Sequence, residues 1–226
     1  EEKKMIYFNY PIKEVEINYE PVDILYEDTF LIVAFKPPFL LVHDDGNAQD
    51  TLQARINGYL QLNGNRYPAQ AIHRIDYETS GLVLFCKHPF FQAYCDKNME
   101  EHHIQKEYIA LVQGHTNYKN KKIISNIARD RHNAKKMIIH PNGKESISIF
   151  NTFKNYKDCS LIQVTILTGR KHQIRVQCAS LKHPILNDSL YGGKIIDDTG
   201  LLLQSHHIQF NDVDITCPQE KRFIRK

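Results

Sequence analysis

The apolar runs of this chain are short and end abruptly, which restricts it to brief strands and helices packed around a shared core. Phe30-Leu-Ile-Val-Ala-Phe35 stops at Lys36-Pro37-Pro38, and a diproline cannot continue a strand ladder, so the run predicts a buried strand entering a turn. Gly81-Leu-Val-Leu-Phe-Cys86 is again strand-like, as are residues 106–112 and the alternating stretch 160–168, which Gly169 ends. Between them, Leu52, Ile56, Tyr59 and Leu60 recur at helical intervals over 51–62, behind Asp50 as a candidate N-cap. Pro89 opens a stretch to Met99 that suits a helix with proline in its first turn. Ile174, Val176, Cys178, Ala179 and Leu181 allow a third helix over 172–181, closed by Lys182, His183 and Pro184. Strands and helices interleave without a regular βαβ rhythm or a glycine-rich phosphate turn, so the expectation is α+β rather than a doubly wound sheet.

No Gly/Ser-rich or Pro-rich linker, internal repeat or low-complexity tract divides the 226 residues. A single domain is expected over 1–226, with 1–30 as an N-terminal extension and 31–210 as its core. At 42% hydrophobic and 24% charged, the composition excludes disordered, collagen-like and mini-protein chains. The five cysteines, Cys86, Cys95, Cys159, Cys178 and Cys217, are scattered and include no Cys-x-x-Cys pair, which points to a reducing compartment. No apolar run approaches the roughly 20 residues of a membrane span, and the opening Glu-Glu-Lys-Lys lacks the apolar stretch of a signal peptide. A cytoplasmic protein is expected. The net charge of +3 implies little, but residues 119–144 hold eight bases against one acid, a local +7 that leaves −4 for the remaining 200 residues. Such a block is a footprint of a phosphate-backbone partner, and equally of a solvated lysine-rich loop.

Two polar stretches carry candidate chemistry. Ala71-Ile-His-Arg-Ile-Asp-Tyr-Glu-Thr-Ser-Gly81 lies between an apolar approach and an apolar strand, where a loop can present side chains from a rigid support. Arg74 and Asp76 share a face if extended and diverge in a tight turn; Asp, Thr, Ser and Gly are also the usual turn formers. Leu167-Thr-Gly-Arg-Lys-His-Gln-Ile-Arg175 gathers cations and a histidine at the start of a candidate helix. Arg170 and Arg175 could hold phosphates, or one could pair with a carboxylate such as Asp76 and keep it ionised. A helix with a solvated basic face fits the same residues.

In sequence order, His73-Arg74-Ile75-Asp76 is followed by Thr79-Ser80-Gly81. Further blocks are Lys36-Pro37, Lys106-x-Tyr108-x-Ala110-x-Val112-x-Gly114, Thr168-Gly169-Arg170-x-His172-Gln173-Ile174-Arg175-Val176, and His183-Pro184-Ile185-Leu186-x-Asp188-x-x-Tyr191-Gly192. Together they resemble the RluA-type family of RNA pseudouridine synthases, whose motif His-Arg-Leu-Asp-x-x-Thr-Ser-Gly the first block nearly reproduces; five ordered blocks are far more specific than one. The resemblance covers about residues 31–210. The chain departs from it at Gln177, where the family commonly has His, at Asn187, where Gly is usual, and at Lys171, where Thr is frequent. None of the three is expected to do chemistry, so they bear on substrate choice. With about 30 residues before the first block, the chain resembles the catalytic-domain-only branch that lacks an S4-type RNA-binding domain.

The resemblance implies a bent, mixed, mainly antiparallel sheet with flanking helices and a central RNA-binding cleft. It implies an isomerase that breaks the bond from ribose to base nitrogen, turns the base and rejoins ribose to base carbon, with no cofactor. Asp76 would be the catalytic carboxylate, attacking the sugar or removing a ribose proton. Arg175 would hold it ionised and aimed, and Tyr108 would lie against the target base, its hydroxyl a candidate base. The nucleotide has to leave its stack, with Arg74 entering the vacated space. RNA contacts are further expected of Lys36, His73, Arg170, His172 and Gln173. Lys121, Lys122, Lys135 and Lys136 would grip the backbone, the Pro141-Asn142-Gly143 turn suiting a mobile loop. The expected partner of this monomer is structured RNA, ribosomal or transfer RNA or both, with no membrane and no obligatory protein partner. No metal site is expected, because adjacent histidines such as His102-His103 and His206-His207 project apart and form no ligand pattern. The competing class is a non-catalytic RNA-binding or ribosome-assembly protein on the same fold, against which the intact trio Asp76, Tyr108 and Arg175 argues.

Overall fold

The computed structural model describes residues 14–44, 46 and 50–225. Along them run β1 (Asp23–Glu27), β2 (Leu31–Lys36), α1 (Leu52–Leu62), β3 (Gln70–Ala71), β4 (Ser80–Cys86), α2 (Pro89–Glu100), β5 (Gln105–Gln113), β6 (Lys121–Arg129), β7 (Met137–Ile139), β8 (Lys144–Asn155), β9 (Cys159–Ile166), α3 (Gln173–Ser180), β10 (Leu203–Phe210) and β11 (Val213–Thr216). The strands form one sheet in the order β1-β2-β4-β10-β5-β9-β8-β6-β7, with β3 on β4 and β11 on β10. Only β4 and β10 pair in parallel, through Ser80–Gln204 and Gly81–Ser205; the neighbouring β2–β4 and β5–β10 ladders, like the rest, are antiparallel. The architecture is therefore the expected α+β type.

Every residue of β4 is buried, which explains a run that never alternates. Leu82, Leu84 and Cys86 pack with Ile72, Cys95 and Ile104 on the α2 side, while Val83 and Phe85 pack with Leu52, Ile56 and Leu60 of α1. Burying each such large apolar side chain is worth ~1.5–3 kcal/mol, so this strand anchors its half of the sheet. In the other half, Tyr108, Ala110, Ile162, Val164 and Phe150 share a core with Ile174 and Cys178 of α3.

Several expectations change in detail. The N-cap of α1 is Thr51, whose Oγ1 accepts from the Ala54 N–H at 3.1 Å; Asp50 is drawn instead to Arg55 and Asn18. Pro89 does open α2. Part of the expected N-terminal extension is sheet, because β1 pairs antiparallel with β2; residues 1–13 lie outside the described residues. Most of the basic segment is sheet: β6 lies between β7 and β8 and pairs antiparallel with both. At its last turn Gly143 comes so close to Ile127 that a Cβ would lie 2.6 Å from backbone atoms, and the Gly143 N–H is bonded to His140 O. All five cysteines are buried and free. Among the described residues no helix is long and apolar enough to cross a membrane.

Candidate active site

The site grows from the start of β4. Gly81 has φ +110, and a Cβ there would sit 2.1 Å from Ser205 O, so only glycine lets β4 enter the sheet beside β10. Immediately before it, the Thr79 N–H closes a turn on Asp76 O at 3.1 Å. Tyr77 O accepts from the Phe39 N–H at 2.8 Å and from Lys36 Nζ at 3.1 Å. Lys36 is fully enclosed and also donates to Pro37 O and Leu40 O, at 2.9 and 2.7 Å. All three ammonium protons are thereby used, and the diproline turn is tied to the Asp76 loop. Burial pulls the Lys36 pKa down to about 7, against the opposing pull of Asp76.

Arg175, on the first turn of α3, reaches this loop. Its Nη1 donates to Asp76 Oδ2 at 3.1 Å, while Nε and Nη2 donate to the two oxygens of Asp188 at 2.9 and 2.8 Å. Burial works against the Arg175 charge, but the Asp188 hydrogen bonds and the two carboxylates outweigh it and raise the pKa above its usual value. The Asp188 side chain is 0% exposed and that of Asp76 24%. The enclosed acid thus fixes the guanidinium, and the guanidinium aims the acid that reaches solvent.

His172 stands at the N-cap of α3 with φ 55 and makes no capping bond. Its Nε2 is 3.8 Å from Asp76 Oδ2 and its Nδ1 2.8 Å from the Tyr191 hydroxyl. That hydroxyl accepts from the Met137 N–H of β7 at 2.8 Å. The Tyr191 ring lies 5.2 Å from Arg175 Cζ and 5.5 Å from Lys136 Nζ. Burial pushes the His172 pKa down, against the pull of Asp76. Tyr108, on β5 opposite Ser205 of β10, is 6% exposed. Burial raises its pKa well above the usual tyrosine range; Ser205 opposes the shift and Asp76 reinforces it.

Asp76, Arg175 and His172 are therefore brought together, with Tyr108 near enough to Asp76 to feel its charge. Around them Arg74 is exposed, Nη1 3.0 Å from His43 Nε2, and Arg170 is exposed with its Nε on Glu145 O. Lys121, Lys122 and Lys135 are exposed and Lys136 is half-buried against Tyr191. Three expected RNA contacts turn inward instead. Lys36 holds the loop; His73 accepts from the Leu84 N–H, its pKa driven to about 3 by burial and Lys106. Gln173 meets Thr168, Arg170 N, Ile147 O and Ser148 within the fold. Two residues that sequence reading left without a role, Asp188 and Tyr191, stand at the centre of the network. Asp188 reads locally as a turn former, and only the fold brings it to Arg175, 13 positions away.

The family described as RNA pseudouridylate synthase matches residues 30–180. An "Uncharacterized RNA pseudouridine synthase YhcT" of Bacillus subtilis (strain 168) is 35% identical over 178 residues, 77% of this chain and 59% of that protein. A "Ribosomal large subunit pseudouridine synthase D" of Haemophilus ducreyi is 32% identical over 186 residues, 80% of this chain and 57% of that one. The chain thus spans little more than half the length of these curated relatives. The solved structure titled "Human RNA Pseudouridylate Synthase Domain Containing 1" shares the fold, with a TM-score of 0.76 at 21% identity, covering 91% of this chain and 86% of that one.

Proposed function

The chain belongs to the RNA pseudouridylate synthase family, and from that premise we propose that it isomerises uridines in structured RNA to pseudouridine, with Asp76 as the catalytic carboxylate. The observation that carries this reading is the Asp76–Arg175–Asp188 array, in which a buried ion pair holds a second carboxylate in place with its side chain reaching solvent. RNA binding alone gives no reason to bury an arginine in order to aim a carboxylate. In the reaction, the bond between C1′ and N1 breaks with its electron pair going to the base. Asp76 either attacks the electron-poor C1′ or removes a proton from C2′. The freed base turns, C5 bonds to C1′, C5 gives up its proton, and N1 gains one. Atoms and electrons balance within the nucleotide, so neither oxidant nor group donor enters.

Tyr108 supports a more limited role than its hydroxyl alone suggests. Held as a neutral phenol in a buried position beside Asp76, it offers a ring against which a flipped base stacks. Base chemistry at its oxygen would first require loss of a tightly held proton. Arg74 is exposed beside the Asp76 loop and suits the space a flipped base leaves, while Arg170 and Lys136 flank the site and suit phosphates. Ribosomal RNA is the favoured substrate class, on the titles of relatives such as the Haemophilus ducreyi protein. Transfer RNA, a cytoplasmic location and action as a monomer complete the reading. Incubating Asp76→Asn with total RNA should yield no pseudouridine while RNA affinity is largely kept; continued turnover would remove Asp76 from the chemistry.

A further inference from the structure

We propose that Tyr191 is a positioning residue that, through His172, sets which imidazole nitrogen faces Asp76 and ties that setting to the seat of β7 beside β6 in the basic segment. The inference rests on reading Asp76 as the catalytic carboxylate.

Donor and acceptor chemistry gives the direction of the chain. The Met137 N–H can only donate, so the Tyr191 oxygen, 2.8 Å away, accepts it. The phenol's own proton then has His172 Nδ1 as its acceptor, also at 2.8 Å. The neutral imidazole therefore carries its proton on Nε2, which faces Asp76 Oδ2 at 3.8 Å. The other tautomer would turn a lone pair toward a carboxylate, so both ends of the ring favour the same assignment. The backbone agrees. His172 adopts φ 55 at a helix N-cap and forgoes a capping bond, a left-handed conformation uncommon among non-glycine residues. What the ring gains there is contact with Tyr191 and Asp76.

The Tyr191 ring also lies over Arg175, so one side chain touches both groups that contact Asp76. Charged groups facing His172 are Asp76 from the loop before β4, Arg175 and Lys171 around the start of α3, and Asp188 from the turn beyond it. Lys136, beside β7, also lies over the Tyr191 ring. β7 is thus linked to His172 through two hydrogen bonds, with Asp76 3.8 Å beyond the ring.

Tyr191→Phe keeps the ring over Arg175 and removes only the hydroxyl. Nitrogen-15 NMR of the imidazole should show the Nε2–H tautomer of His172 in the wild-type protein and a mixture in the variant. The single-turnover rate of pseudouridine formation should fall roughly three- to tenfold, the scale of one net hydrogen bond, with RNA affinity unchanged. His172→Gln can present an amide N–H to Asp76 without reference to Tyr191, so on that background Tyr191→Phe should cost nothing further. An Nδ1–H tautomer in the wild-type protein overturns the inference whatever the variants do. So does an equal cost of Tyr191→Phe with and without His172→Gln. Wild-type protein that makes no pseudouridine but shows the tautomer change would instead overturn the functional reading and leave the hydrogen-bond chain standing.

Discussion

Arg175 hydrogen-bonds two carboxylates, with Glu78 a third at 4.0 Å, and burial divides the roles of the bonded pair. Asp188 is enclosed and takes the guanidinium edge-on, whereas Asp76 meets a single Nη1 and keeps a quarter of its side chain in solvent. Removing one partner of an enclosed pair strands the other, so Asp188→Ala should lower stability by ~3–5 kcal/mol. Asp76→Ala should cost clearly less, since Arg175 retains Asp188. Urea unfolding midpoints compare the two, and equal losses would mean that burial does not separate them. Lys36 makes a second prediction. The unfolded chain holds the Lys36 proton up to its ordinary pKa of 10.5, the folded one only to about 7. Between those values the unfolded state binds more protons, so this residue's contribution to stability improves as pH rises from 7 toward 10.5. Lys36→Met should flatten that part of the stability–pH curve; an unchanged slope would assign the titration elsewhere. At this scale the motifs single out Asp76, Arg175 and Tyr108 as candidates, and the fold puts Asp76 and Arg175 in contact. It does not say whether a polar motif residue faces in or out, which is why Lys36, His73 and Gln173 read as RNA contacts and prove to be internal braces.

At the scale of elements, legibility follows how each stretch hides its apolar atoms. β2 and β4 are continuous apolar runs because helices cover both faces of their half of the sheet; α2 carries its proline where sequence rules place it, whereas the cap of α1 lies one residue beyond the expected Asp50, at Thr51. β8 inverts the usual pattern: Ser146 and Ser148 are buried while Ile147 and Ile149 are half-exposed. The cause lies in α3, where Gln173 and Gln177 need polar partners on the sheet. Gln177 accepts from Ser148 Oγ at 2.8 Å and donates to Ser125 Oγ at 3.0 Å. The departure at Gln177 thus becomes a clamp between α3 and the strands that carry the lysines. Asn187, the other departure that the fold explains, holds φ 66, a conformation asparagine tolerates in place of glycine. Gln177→Leu removes the acceptor of the buried Ser148 hydroxyl proton and the donor to half-buried Ser125 Oγ, and should lower stability by ~1–3 kcal/mol, measurable as a shift of the thermal midpoint; no shift would show that the serines find other partners.

Over the whole molecule, the basic block is spread across two faces of the sheet, and this decides which of its charges serve the site. Along β6, Ser125 and Ile127 face α3, as the Gln177 bond and the burial of Ile127 show. Alternation therefore turns Lys121 toward that face and Lys122 away from it. Lys136, against Tyr191, and Arg170, on Glu145 O, both stand beside the Asp76 array. A run of like charge in sequence is legible as a candidate phosphate grip, but strand geometry splits it into residues that share a face with the carboxylate and residues that do not. Each phosphate contact contributes about 0.7–0.9 to the slope of log affinity against log salt. Lys136→Gln and Arg170→Gln should each reduce that slope by about this amount, while Lys122→Gln should leave it unchanged. RNA titrations over a salt series read all three directly. If Lys122→Gln lowers the slope as much as Lys136→Gln, the RNA wraps the outer edge of the sheet, and the site face alone does not set its path.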